Sequence, residues 1–141
     1  MAAPYAETIV LTHRAALNAI DAGIQTAERI GVLQCIVLVD PSGVTIASLR
    51  MTGAKFLSLQ TAEAKARTAA STNTATGGMP IDIGTAASVA SHGGVTPLPG
   101  GVPIRFGGRL AGGIGVGSGT GDQDVEVAKA ALAALGADPV D

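Results

Sequence analysis

Hydrophobic and polar positions first fall into a helical rhythm over residues 12–30. There Leu17, Ile20, Ile24 and Ala27 recur at spacings of three and four, with Asn18, Asp21, Gln25 and Glu28 on the opposite side and Gly31 as a stop. Residues 33–39 are almost continuously apolar and rich in branched side chains, the pattern of a central strand covered on both faces. Asp40-Pro-Ser-Gly43 has the residue order of a type I turn and returns the chain as a second strand over 44–51. After a loop over 53–57, Ser58 is placed to cap a helix whose inner side is Leu59, Ala62, Ala66, Ala69 and Ala70. So small a face requires that whatever covers it comes close.

Residues 73–80 read as a loop, and Asp82 as the cap of a shorter helix ending near Ser91, with His92 and Gly93 just beyond. Residues 95–101, with two prolines and two glycines, lead into two strand-like runs, 102–106 and 109–116, around Gly107-Gly108. Two adjacent glycines supply the positive φ values of a two-residue hairpin. The last helix, 121–135, opens with a capping box formed by Thr120 and Gln123. Asp122, Asp124 and Glu126 lie in its first turn, Val125, Ala128, Leu132 and Leu135 form its apolar stripe, and Gly136 and Pro139 end it. The order helix, strand, strand, helix, helix, strand, strand, helix favours hairpins over crossovers and predicts an α+β fold, an antiparallel sheet flanked by helices.

Glycine is concentrated in one place. Gly112, Gly113, Gly115 and Gly117 lie within the last strand, where glycine weakens pairing and marks close approach by another backbone or a ligand. No dinucleotide fingerprint can be laid over them: counted from Gly113 the sixth position is Ser118, and from Gly115 it is Thr120. A phosphate-loop lysine is also missing.

Composition narrows the function classes. The 141 residues suit one domain, 1–141, and are 47% hydrophobic but only 14% charged, which favours burial of further surface in a homo-oligomer, a tetramer or larger. A net charge of -2, scattered cations and 2% aromatics leave neither a basic stripe nor a stacking platform, so no nucleic-acid partner is expected. Cys35, the single cysteine, sits in an apolar run as a small buried hydrophobe. No apolar run reaches the about 18 residues of a membrane span, and the first residues lack a secretory pattern, so no membrane association and a cytoplasmic location are expected.

Few side chains offer chemistry. Lys65 projects beside Ala62 and Ala69, where it is either partly buried with a lowered pKa or a snorkelling stem with its ammonium in water. His92, as a histidine, is a candidate general base or haem ligand; its position in a last turn also has a structural reading, the helix dipole and free carbonyls. His13 is a weaker candidate, and no group of residues has metal-ligand spacing. If the glycine-rich strand faces a ligand, its bare amides suit an anion, and Lys65, Arg67 or Arg50 would supply the opposing charge.

Taken together, Val39-Asp40 with Gly43, Arg50-Met51 with Gly53-Ala54, Lys65-Ala-Arg-Thr-Ala69, Gly100-Gly-x-Pro-Ile104, and Gly113-Ile-Gly-Val116 through Gly119-Thr120 to Gln123-Asp124 resemble the GlcG/HbpS family, which includes haem-binding proteins and the C-terminal domain of PduO-type proteins. The resemblance spans about residues 8–135. It implies a profilin-like or roadblock-like sheet, homo-oligomers, and a small-molecule pocket near the glycine-rich strand, with haem as the cofactor the family suggests. The corresponding ligand-binding set is Arg50, Arg67, Gly113, Gly115, Gly117, Ser118 and Gly119. Haem is expected to bind weakly, because Tyr5, Phe56 and Phe106 are the only aromatic walls; Met51 and Met79 would follow His92 as iron ligands. An enzymatic reading of the same residues makes Lys65 the base or electrostatic partner, His92 the general acid or base, and the amides of 115–119 the anion holder.

Overall fold

A computed structural model describes residues 2–141. Its elements are α1 (His13–Ile30), β1 (Cys35–Val39), β2 (Thr45–Arg50), α2 (Ser58–Thr72), α3 (Ile81–Ala90), β3 (Gly101–Phe106), β4 (Arg109–Gly117) and α4 (Gly121–Ala134). The strands form one antiparallel sheet in the order β2-β1-β4-β3. This is the α+β architecture expected from the element order, with β1 central as its unbroken burial requires.

Strand alternation divides the core in two. Ile36 pairs with Val116 and Leu38 with Ile114, and these side chains meet α1 and α4 on one face. On the other face Cys35 pairs with Gly117, Val37 with Gly115 and Val39 with Gly113, and α2 lies across them through Ala62, Ala66 and Ala70. The run Gly113-Ile-Gly-Val-Gly117 is therefore a two-residue repeat with one bulky side and one bare side. A Cβ placed on Gly113 would strike the Ala66 carbonyl, and one on Gly115 the Ala62 carbonyl. The close approach foreseen at these glycines is made by helix backbone, the counterpart of the alanine face of α2.

Local signals mostly hold. Gly107 and Gly108 adopt φ 57° and 78°, both positive as a type I′ turn requires. Asp138 reinforces that turn by accepting hydrogen bonds from both glycine amides at 3.1 and 2.7 Å. Thr120 and Gln123 complete the capping box of α4. Pro103 sits on β3, an edge strand, where a missing donor costs no ladder bond on the open side.

Several expectations are corrected. Ser58 is the first residue of α2 and not its cap, because Lys55, Phe56 and Leu57 lead in through a chain of 3₁₀-type bonds. Pro80, not Asp82, precedes α3, and Asp82 lies in its first turn. In α1 the buried set is Ala16, Ala19, Ile20, Gly23, Thr26 and Ala27, while Leu17 is exposed: close contact with α4 and with Ile36 selects small residues. In α4 the buried stripe is Asp124, Val127, Ala128, Ala131 and Leu132, shifted from the one expected around Val125 and Leu135.

Candidate functional site

Because α2 rests on bare strand backbone, the side chain of Lys65 has nowhere to go except along the sheet towards the end of β4. It is 4% exposed, its Nζ donates to the Val116 carbonyl at 2.8 Å, and it forms an ion pair with Asp124 Oδ2 at 2.9 Å. Asp124, 3% exposed on the first turn of α4, accepts through Oδ1 from the Gly119 amide at 3.0 Å and Gln34 Nε2 at 3.1 Å. Gln34 is wholly buried and also donates to the Gly117 carbonyl; its Oε1 has no partner. Lys65 is thus neither a snorkelling surface lysine nor an unpaired buried cation. Its ammonium has three donors, of which Val116 and Asp124 take two.

A cleft of about 270 Å³ opens beside this pair. Lys65 and Asp124 lie in its lining with Lys55, Ser58 and Thr61 on one side, Leu98 and Pro99 on another, and Ser118, Gly119 and Gly121 on the third. The first residues of α2 and α4 both border it, so two positive helix ends add to the lysine charges. Ser118 holds φ at 90°, uncommon for a residue with a side chain, and its Oγ accepts the Lys55 amide at 3.0 Å, tying the two walls together. The cleft mixes polar and apolar walls, with Lys55 in its lining and a neutralised pair at its floor, an arrangement suited to a small molecule that carries a carboxylate or another anionic group.

The expected site residues separate in space. Lys65, Ser118 and Gly119 meet at this cleft. Gly113, Gly115 and Gly117 turn their bare side-chain positions to α2, with Gly117 against Ser58, so the space where a ligand could lie on the strand is filled by helix backbone, and the strand pairs with its neighbours within the sheet. Arg50 is exposed at the end of β2 and donates to the Ala54 carbonyl at 3.3 Å, outside the lining of this cleft. Arg67 lies further along α2, beside Gly43, and borders two other clefts. His92 lines one of these, with Gln60, Glu63 and Arg67, and shares no cleft with Lys65. It is exposed and takes the left-handed position of a Schellman turn at the end of α3, φ 54°, with the Gly93 amide reaching back to the Ser88 carbonyl at 2.7 Å.

Sequence reasoning missed Asp124, Gln34 and Lys55 as site residues. Asp124 was detectable: it begins the 124–128–131 row of α4, so a carboxylate stood on the buried stripe. Gln34 carried no local signal. Cys35, directly beneath the site, has its thiol pKa pushed up by burial, with Arg50 opposing and Asp124 adding to the rise. Among the described residues no cluster of His, Cys, Asp or Glu is arranged to hold a metal ion, and no helix is long and apolar enough to cross a membrane.

A four-stranded antiparallel sheet with one helix lying on a glycine face, and a cationic cleft at that helix's start, defines a small ligand-cleft domain of the α+β class. The family described as haem degrading protein, HbpS-like, matches residues 11–133, and the chain belongs to it. It is 33% identical over 119 residues to the corrinoid adenosyltransferase PduO of Citrobacter freundii, a match covering 81% of this chain and 36% of that protein's length, so the chain spans about a third of that relative. Among solved structures it superimposes on the Klebsiella pneumoniae protein ORFY with a TM-score of 0.87 at 25% identity, covering 96% of this chain and 97% of the other. The crystal structure of a PduOC–haem complex gives 0.84 at 25% identity, covering 94% and 100%. HbpS gives 0.82 at 34% identity, covering 96% and 99%.

Proposed function

We propose that this chain is a small-molecule-binding protein of the HbpS type whose Lys65 cleft takes a ligand through a carboxylate group. The observation that carries this reading is a buried lysine, anchored by Asp124 and the Val116 carbonyl, that lines an open cleft beside a second lysine and two helix starts. The ion pair holds the ammonium in place, Lys55 and the helix ends supply the net positive field, and Ser58, Thr61 and Ser118 offer hydroxyl donors.

Haem, which one structural relative holds, fits this cleft in part. Its propionates match the cations, and its apolar face would lie against Phe56, Leu57 and Leu98, large exposed side chains at or next to the rim. The iron finds no ligand there. Met51 Sδ accepts the Gln34 amide, Cys35 is buried, and His92 and Met79 line other clefts. No reaction step is therefore assigned to the iron, and haem is held weakly, by its carboxylates. The acid–base reading that pairs Lys65 with His92 has no geometry to support it, since the two do not share a cleft.

The same proposal includes association into homo-oligomers, which the surface of α3 supports. Gly84 is the one buried residue of α3, packed against Pro97, while Ile81, Ile83 and Val89 stand exposed, an apolar surface suited to a second copy. A cytoplasmic site of action belongs to the same proposal; the single cysteine, Cys35, is buried and has no disulfide partner within the chain.

The test is a titration of the full chain with haemin and with benzoate as a plain carboxylate. Benzoate should saturate, Lys55→Ala should weaken it at least about tenfold, and haemin should give a broad Soret change that gel filtration removes. Benzoate that fails to bind, or binds equally well to the variant, overturns the reading. So does a sharp Soret band that survives filtration and vanishes in His92→Ala.

A further inference from the structure

On the far side of α2 from the Lys65 cleft, a second set of donors, the solvent-exposed Arg67, Ser42 and Ser71, lines one cleft. Arg67 lies along the turn between β1 and β2, where a Cβ on Gly43 would sit 3.5 Å from its Cγ and 3.6 Å from its Nε. Among the described residues its guanidinium forms neither a hydrogen bond nor an ion pair; the one ion pair there is Lys65 with Asp124. Arg67 borders a cleft of about 280 Å³ whose walls are the turn residues Ser42 and Gly43, Ser71 of α2, and Ser91 and Gly94 beyond α3. The Ser42 and Ser71 hydroxyls likewise have no partner within the described residues, whereas Ser91 Oγ donates to the Ala87 carbonyl and accepts the Val95 amide.

Carboxylates nearby are turned elsewhere. Asp40 accepts the amides of Ser42 and Val44 within its own turn, and Glu63 accepts the Thr45 hydroxyl at 3.3 Å from the neighbouring cleft. His92, on the other side of Arg67, holds the left-handed backbone position that ends α3 and borders the neighbouring cleft.

We infer that Arg67, Ser42 and Ser71 form a second ligand site, distinct from the Lys65 cleft, for a tetrahedral oxyanion, namely a phosphate group, free or as a monoester. A planar guanidinium can take two oxygens, and the hydroxyls come from two further directions, a turn and a helix. Three directions of donation suit a tetrahedral group better than a flat carboxylate.

The experiment uses the full-length chain, amide NMR and inorganic phosphate, with a phosphate monoester such as glycerol phosphate and with acetate as separate arms. The expected result is saturable shifts at Ser42, Ser71 and His92 below about 10 mM phosphate, at least about tenfold weaker in Arg67→Gln and unchanged in Lys129→Gln, which removes an exposed charge elsewhere. Tighter binding of the monoester would assign the site to an esterified phosphate, and equal or weaker binding to the free ion. Absence of saturation in the wild type, unaltered binding in Arg67→Gln, equal loss in Lys129→Gln, or acetate binding as tightly as phosphate overturns the inference.

Discussion

Lys65 Nζ sits 2.9 Å from Asp124 Oδ2, both side chains almost wholly out of water, and the two halves of this pair are unequally supported. Asp124 has two more donors, Gln34 Nε2 and the Gly119 amide, whereas Lys65 has only the Val116 carbonyl besides. Removing the carboxylate strands a buried charge, which costs about 3–5 kcal/mol. We expect Asp124→Ala to lose stability in that range and Lys65→Met to lose less. Urea denaturation of both variants checks the order, and equal losses would contradict the asymmetry.

At Gly115 a single methyl has no free volume, since a Cβ there falls on the Ala62 carbonyl. Overpacking of this kind ordinarily costs about 1–3 kcal/mol, and more when the obstacle is backbone. Gly115→Ala is therefore expected at or above the top of that range. Gly108→Ala, where nothing lies within reach but φ is 78°, should cost only about 1 kcal/mol. Thermal unfolding of the two variants separates steric exclusion from backbone strain.

Burial raises the pKa of the Cys35 thiol on folding. The sign follows from proton counting: above the ordinary thiol range the unfolded chain releases its proton first, so the folded state binds more. This contribution is intact below that range and is lost as pH rises through the folded value. The urea midpoint should fall between pH 8 and 10 more steeply for the wild type than for Cys35→Ala. In the folded state iodoacetamide should leave Cys35 unmodified at neutral pH, and rapid labelling would refute the burial argument.

The exposed apolar residues of α3 provide a test of association. Light scattering at micromolar concentration should return a tetramer or larger, and Ile83→Lys with Val89→Lys should shift it towards the monomer with little loss of fold, because neither side chain is buried in the single chain. A wild-type mass of 13.8 kDa would rule the interface out.

Most of the fold was legible because its signals are local. The hairpin needed only Gly107-Gly108, the α4 start only Thr120 and Gln123, and the close-packed α2 only its row of alanines. The site was less legible because it is assembled across sequence separations of 59 residues for Lys65 with Asp124 and 90 for Gln34 with Asp124. Its glycines misdirected the reading for a physical reason. A strand stripped of side chains looks the same whether a ligand or a helix fills the space, and here Ala62 and Ala66 fill it.

That helix-on-strand contact sets the tolerance of the site to change elsewhere. Since α2 is seated against main-chain atoms of β4, its height is set by direct backbone contact, without a cushion of rotamers between. Ile36, Leu38, Ile114 and Val116 lie on the opposite face, so substitutions among their side chains are expected to alter stability more than the seat of α2. The domain can thus drift in one half of its core and keep its cleft, whereas the bare half admits almost no drift at all.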